Sequence, residues 1–286
     1  MSQTPLFCVY TLFSGSKGNC VYVRSGDTRI LIDAGMSCRA IERGLAQVGD
    51  SLENIRAVFI THEHSDHTKA LPVLLKKHPV PVHLAERTAV QLREQGIPSD
   101  CFFVHPPQFS VTVRGADMAE GGIEVQSFRT PHDSVMSVGY RLMPLDGTGR
   151  VTALATDCGC ITDEIRTALT GAENVILEAN HDENMLLMGS YPYELKRRIL
   201  SDRGHLSNEA CGAFLCDLVS HGTKHILLAH LSPENNTPEL AYLTARGALQ
   251  AGGYIEGEDY SLAVAKRDSP VLFVRCGDGL CEKKDA

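Results

Sequence analysis

The sequence has no C-x-x-C pair, no apolar run of bilayer length and no surplus of positive charge, and each absence removes a class of function. Its ten cysteines are scattered over 286 residues, which favours reduced thiols over a disulfide framework. Free cysteine is a common packing residue; Cys158 and Cys160, in "TDCGC", are the single close pair. A helix needs roughly 20 apolar residues to cross a bilayer, and no stretch approaches that. The apolar start over 6–13 has no basic residue before it and no small-residue cleavage pattern after it, so it reads as a strand and not a leader. With 27 Lys and Arg against 35 Asp and Glu, the net charge of −8 disfavours broad attraction to nucleic acid or anionic membrane and leaves only local basic patches. Repeats, low-complexity tracts and long polar linkers are also missing. The expectation is one enzyme-sized domain over 1–286, soluble and cytoplasmic.

What is present is a series of short apolar runs alternating with amphipathic stretches, the pattern of an α/β fold. Strands are expected at 6–13, 20–24 and 29–33, joined by the "SGSKGN" and "SGDT" turns as a meander. A helix over 37–48, a strand over 57–61 and a helix over 68–78 follow. Further strands are expected at 101–104, 109–113, 123–130, 137–143 and 150–155. Beyond Asp157, helices at 161–170, 192–200, 208–220 and 238–251 alternate with strands at 174–178 and 225–229. Two sheets faced by helices accommodate this order.

The stretch 61–67 reads "THEHSDH" and holds five possible metal ligands: His62, Glu63, His64, Asp66 and His67. Zinc takes four ligands at about 2 Å, so five neighbouring side chains cannot all converge on one ion. His62 and His64, two apart at a strand end, project to the same side and can share a metal. Asp66 and His67 fall where the chain turns into a helix and suit a second metal, while Glu63 alternates away as a bystander. Three further candidates close predicted strands: His132 in "RTPHDS", Asp157 in "ALATDCG" and His230 in "ILLAHLS". The set divides into His62, His64 and His132 for one ion and Asp66, His67 and His230 for the other, with Asp157 bridging. A polar loop rich in histidine by chance is the bland alternative, and the spacing of four ligands weighs against it.

"LIDAG", "THEHSDH", His132, "TDCG" and "HLS" resemble the five ordered motifs of the metallo-β-lactamase fold superfamily. The resemblance implies an αββα four-layer sandwich with the metals at one edge of the two sheets. "FSGSKGNCVYV", "EANHDENML", "GHLSNEA" and "HLSPENN" resemble the WalJ/YycJ-type branch, described as metal-dependent DNA exonucleases, with ribonuclease Z as a more distant relative. Cys158 and Cys160 depart from the Thr or Tyr often found after the bridging Asp.

Two divalent ions about 3.5 to 4 Å apart can activate a water and stabilise charge on oxygen, so the expected chemistry is hydrolysis. Zinc or manganese is expected, and iron is compatible, because His and carboxylate sites accept all three. Asp33, in "LIDAG", and Glu178, in "LEANHD", are candidates to hold the ligands from behind by hydrogen bonds; ordinary turn and loop roles are their alternatives. Asp66 and His205 are the candidate catalytic residues. An imidazole at 205 can bind phosphate or protonate a leaving oxygen, a role favoured by resemblance to the Gly-His segment of ribonuclease Z. Without it, helix capping is the simpler reading. Ser16, Lys17 and Asn19 of "SGSKGN", with Arg203 and His205, are candidate substrate contacts, although hairpin turns use the same residue types. Lys196, Arg197, Arg198 and Arg203 form a basic run that can hold a nucleic-acid backbone, or a solvated helix face.

The leading expectation is a phosphodiesterase or exonuclease acting on nucleic-acid ends, DNA first, with no membrane partner and room for a homodimer. A small ester, thioester or lactam hydrolase uses the same water; a non-catalytic metal-stabilised binding protein is a third class. The diiron redox branch of this fold is disfavoured because His64 stands where it would carry Glu.

Overall fold

The computed structural model describes residues 7–115, 121–145, 147 and 150–276. The chain opens with the expected meander, β1 (Phe7–Phe13), β2 (Cys20–Ser25) and β3 (Thr28–Ile32), and then passes through α1 (Cys38–Gln47) to β4 (Ala57–Phe59). Two short helices, α2 (Ser65–Thr68) and α3 (Leu71–Lys77), replace the single helix expected at 68–78. β5 (Val82–Ala85), α4 (Glu86–Glu94) and β6 (Phe102–His105) complete the first half.

The second half starts with β7 (Ser110–Val113), β8 (Ile123–Thr130), β9 (Ser137–Pro144) and β10 (Thr152–Ala155). It continues through α5 (Asp163–Leu169), β11 (Asn174–Glu178), α6 (Glu183–Met188), α7 (Tyr193–Ile199), α8 (Asn208–Ser220), β12 (His225–Ala229), α9 (Pro238–Ala251), β13 (Ser261–Val264) and β14 (Val271–Cys276). β5, α4, α6, β13 and β14 are additions to the sequence-based expectation. None of the described helices is long and apolar enough to cross a membrane.

The strands form two seven-stranded sheets, ordered β14-β1-β2-β3-β4-β5-β6 and β13-β12-β11-β10-β9-β8-β7. Each has an antiparallel half, and each has a parallel half: β3 to β6 in one, β10 to β13 in the other. Alternation along the strands sorts the apolar residues into three layers. Ile30, Ile32 and Phe59 meet Tyr140, Ile176 and Leu227 between the sheets. Leu31 and Val58 turn outward onto α1 and α3, and Val175, Leu177, Ile226 and Leu228 turn outward onto α5, α8 and α9. Central strands buried on both faces read as continuous apolar runs, because both sides have a partner. The result is the αββα sandwich.

The "LIDAG" segment clamps the metal-motif loop by backbone. Asp33 N donates to Phe59 O, Ala34 N to the His67 carbonyl at 2.8 Å, and Ala70 N to the Ala34 carbonyl at 2.8 Å. Gly35 N donates to Asn19 O, and Asn19 N to Asp66 O, which draws the β1–β2 turn into the same clamp. A Cβ on Gly35 would stand 1.6 Å from the Asp66 carbonyl oxygen, so glycine is required by close approach of two backbones. Gly35→Ala is expected to cost at least about 2 kcal/mol by overpacking, seen as a lowered melting temperature; an unchanged melting temperature would contradict the clamp.

Candidate metal centre

Chemistry gathers where strands end. His62 and His64 follow β4, His132 follows β8, Asp157 follows β10, Glu178 closes β11 and His230 follows β12. Asp33, Asp157 and His230 are the non-glycine residues with positive φ among the described ones, at 62°, 56° and 57°. A left-handed residue costs roughly 1–2 kcal/mol, so three such residues at three strand ends are backbone strain concentrated on one place.

The structure brings together every residue expected as a metal ligand. The side-chain donor atoms of His62, His64 and His132 lie within 4.8 Å of one another, as do those of Asp66, His67 and His230. Asp157 stands between the two groups: one oxygen is 3.3 Å from His67 Nε2, and the other is 3.7 Å from His132 Nε2 and 3.5 Å from His230 Nε2. Glu63 stays out, its Oε1 accepting from Val135 N at 2.8 Å.

Hydrogen bonds behind the imidazoles fix which nitrogen faces inward. His67 Nδ1 donates to Asp33 at 2.7 Å, and His230 Nδ1 donates to Glu178 at 2.9 Å. His132 Nδ1 donates to the Gly204 carbonyl, and His62 Nδ1 to the Thr61 hydroxyl, which itself donates to Asp33. Each bond leaves Nε2 for the centre, the arrangement by which outer partners orient metal-binding histidines. Asp33 and Glu178, the candidates for holding ligands from behind, are thus each hydrogen-bonded to an imidazole. Thr61 and Gly204 were not anticipated; a threonine beside the motif and a glycine before His205 carry no distinguishing signal. From the opposite sheet, Tyr140 Oη donates to the Ile60 carbonyl at 2.6 Å and steadies the strand end.

The electrostatics are those of a cation site. Burial alone would neutralise Asp157, yet His230 and His67 hold its carboxyl well below the usual range. Burial pushes the His230 imidazole down, but Asp157, Asp66 and Glu178 outweigh it and lift it to about 10. His67 is likewise raised, by Asp33 and Asp157 against its burial. His62 is driven the other way, by burial and then by the positive neighbour His67. The buried Nε2 atoms of His62 and His230 and Oδ2 of Asp157 have no hydrogen-bond partner among the described residues. Imidazole nitrogens and carboxylate oxygens converging in this way fit a divalent ion.

His205 is half-buried, with Nδ1 2.7 Å from Glu178 Oε1 and 3.8 Å from Asp157 Oδ1. Ser207, not the imidazole, caps α8 by accepting from Ala210 N. Asn19 lies 3.1 Å from His67 Nε2 through Nδ2, which also reaches Asp66, whereas Ser16 and Lys17 are exposed on the same turn. Arg203 donates to the carbonyls of His132 and Ser134. The rest of the basic run has partners too: Lys196 on the Leu187 and Gly189 carbonyls, Arg197 near Glu194, and Arg198 on Asp133. The Cys158 thiol is raised by burial and by nearby carboxylates, and neither it nor Cys160 joins the cluster.

An αββα sandwich with such a cluster at its strand ends is the framework of a metal-dependent hydrolase. A family model described as "Beta-lactamase superfamily domain" matches residues 28–231. The chain is 39% identical to exodeoxyribonuclease YycJ of Bacillus anthracis, over 88% of this chain and 92% of that one. It is 36% identical to exodeoxyribonuclease WalJ of Streptococcus pneumoniae, over 88% and 91%. In fold it is similar to the metallo-beta-lactamase fold protein YhfI of Bacillus subtilis, with a TM-score of 0.68 at 15% identity over 94% and 99% of the two chains. The chain belongs to the beta-lactamase superfamily, in the branch of YycJ and WalJ.

Two outcomes test this centre. Because carboxylate neighbours raise the His67 and His230 imidazoles, metal binding should release protons at neutral pH and weaken as pH falls. Calorimetric titrations of zinc or manganese in buffers of different ionisation heat read this directly, and identical heats would contradict it. Asp33→Ala should weaken metal affinity by about 10- to 100-fold; unchanged affinity would remove Asp33 from its role.

Proposed function

We propose that this chain, acting as one domain over 1–286, is a dinuclear metal-dependent exonuclease that hydrolyses phosphodiesters at nucleic-acid ends, DNA favoured over RNA. The observation that carries the reading is the pair of three-residue clusters flanking one buried carboxylate. His62, His64 and His132 would hold one ion, Asp66, His67 and His230 the second, and Asp157 would touch both. Zinc and manganese suit the donor set, with iron compatible. Bound there, the ions supply Lewis acidity and lower the pKa of an attacking water.

The chain's own residues supply the rest. Asp33 and Glu178 hold the imidazoles in register, so the centre needs no rearrangement when substrate arrives. Asp66, partly exposed, is the ligand placed to orient the attacking water. Glu178 occupies Nδ1 of His205, which leaves Nε2 to hold a phosphoryl oxygen or to protonate the leaving one. Burial lowers the His205 pKa, but Glu178 and Asp157 raise it above the ordinary value, which favours the donor form. Of the "SGSKGN" turn, Asn19 stands beside Asp66 and His67, and Ser14 Oγ accepts from His230 N. The names of YycJ and WalJ supply the substrate class.

Metal-loaded protein should shorten end-labelled oligonucleotides and turn over bis-p-nitrophenyl phosphate, while leaving a generic thioester alone. The reverse preference would favour the small-molecule alternative. Asp157→Ala should abolish hydrolysis, and full activity would contradict a bridging role. His205→Gln should lower kcat about 100-fold with metal content unchanged.

A further inference from the structure

Of thirteen exposed large apolar side chains among the described residues, four fall within 187–200: Leu187, Met188, Tyr193 and Leu200. Met188 is 88% and Tyr193 71% exposed, values that no core role explains. Lys196 Nζ on α7 donates to the Leu187 and Gly189 carbonyls at the end of α6, both at 2.7 Å, which ties the two helices that carry them into one ridge. The ridge is tied to the metal centre at both ends. Asp182, at its start, donates through N to Asn235 O beyond His230; at its close, Gly204 accepts from His132 and Arg203 grips the His132 carbonyl. Arg198 pairs with Asp133, the neighbour of His132.

We infer that the α6–α7 ridge is a platform for the unpaired strand of a nucleic-acid substrate, an assignment that rests on the nuclease reading above. An aromatic ring and flexible apolar side chains can stack on any base, and neighbouring cations can follow the backbone. Residues 193–203 carry four cations against two carboxylates in a chain of net charge −8, so the α7 end of the ridge, unlike its Asp182–Glu183 end, complements a polyanion. Arg197, 68% exposed and 3.8 Å from a Glu194 that is 78% exposed, can trade that partner for a phosphate at little loss. Continuity with the centre lets a strand lying on the ridge deliver its end to His132 and His205.

The test compares wild type with Met188→Ser/Tyr193→Ser and with Arg197→Glu, in metal-loaded protein, on a single-stranded oligonucleotide and on bis-p-nitrophenyl phosphate. The expected result is a KM for the oligonucleotide raised about 10-fold in each variant, with turnover of the small phosphodiester within about two-fold of wild type. An oligonucleotide KM within about two-fold of wild type overturns the platform and leaves the nuclease reading standing. A shift to a smaller species in sedimentation with that KM unchanged makes the ridge a contact between copies of the chain, which also overturns it. Wild type that cleaves the small phosphodiester but no oligonucleotide removes both readings together.

Discussion

A carboxylate buried at the seam of two sheets sets the terms for everything around it. Asp157 is 2% exposed, in a left-handed backbone conformation, and ionised. Burying an unpaired charge costs several kcal/mol, so the surrounding fold must supply positive charge. Carboxylate neighbours raise the His67 and His230 imidazoles above their ordinary values, toward the charged form; divalent ions would supply the charge instead. The outer partners, Asp33 and Glu178, are part of the same balance. Each is buried and accepts a hydrogen bond from an imidazole of the centre.

The architecture explains how one point gathers so many candidate ligands. Each sheet contributes a parallel half, and the loops that leave those strands, with the β8 loop, converge on a single edge. Strands buried on both faces are stiff platforms, so the strain at Asp33, Asp157 and His230 is borne by packing elsewhere. The backbone clamp between "LIDAG" and the metal motif fixes the loop at Gly35, where no side chain fits. Rigidity of this kind lets the centre be formed before substrate arrives.

Much of the centre was legible because its residues end strands. Period-two alternation grouped His62 and His64 and set Glu63 apart, although β4 ends at Phe59 and these residues stand in the loop beyond it; the apolar or β-prone runs before His132, Asp157 and His230 marked where those side chains emerge. Asp33 and Glu178 were legible as candidates only, since a strand-end acid is also an ordinary turn residue. What the sequence hid has physical causes. β5 is four residues long beside prolines, and α4 begins at Glu86 with no side-chain cap, so neither has a start signal. α6 buries Leu186 and exposes Leu187 and Met188, which breaks the amphipathic pattern a helix usually shows. The basic run at 196–203 reads as free cations, but pairing with Asp133 and with the His132 carbonyl depends on contacts more than 60 residues away in the chain.

The central claim is that one carboxylate joins two metal sites. Anomalous diffraction from metal-loaded crystals of the wild-type protein tests it most directly. The account predicts two peaks about 3.5 to 4 Å apart, one among His62, His64 and His132, the other among Asp66, His67 and His230, with Asp157 touching both. A single peak, or a second one away from Asp66, His67 and His230, would contradict it.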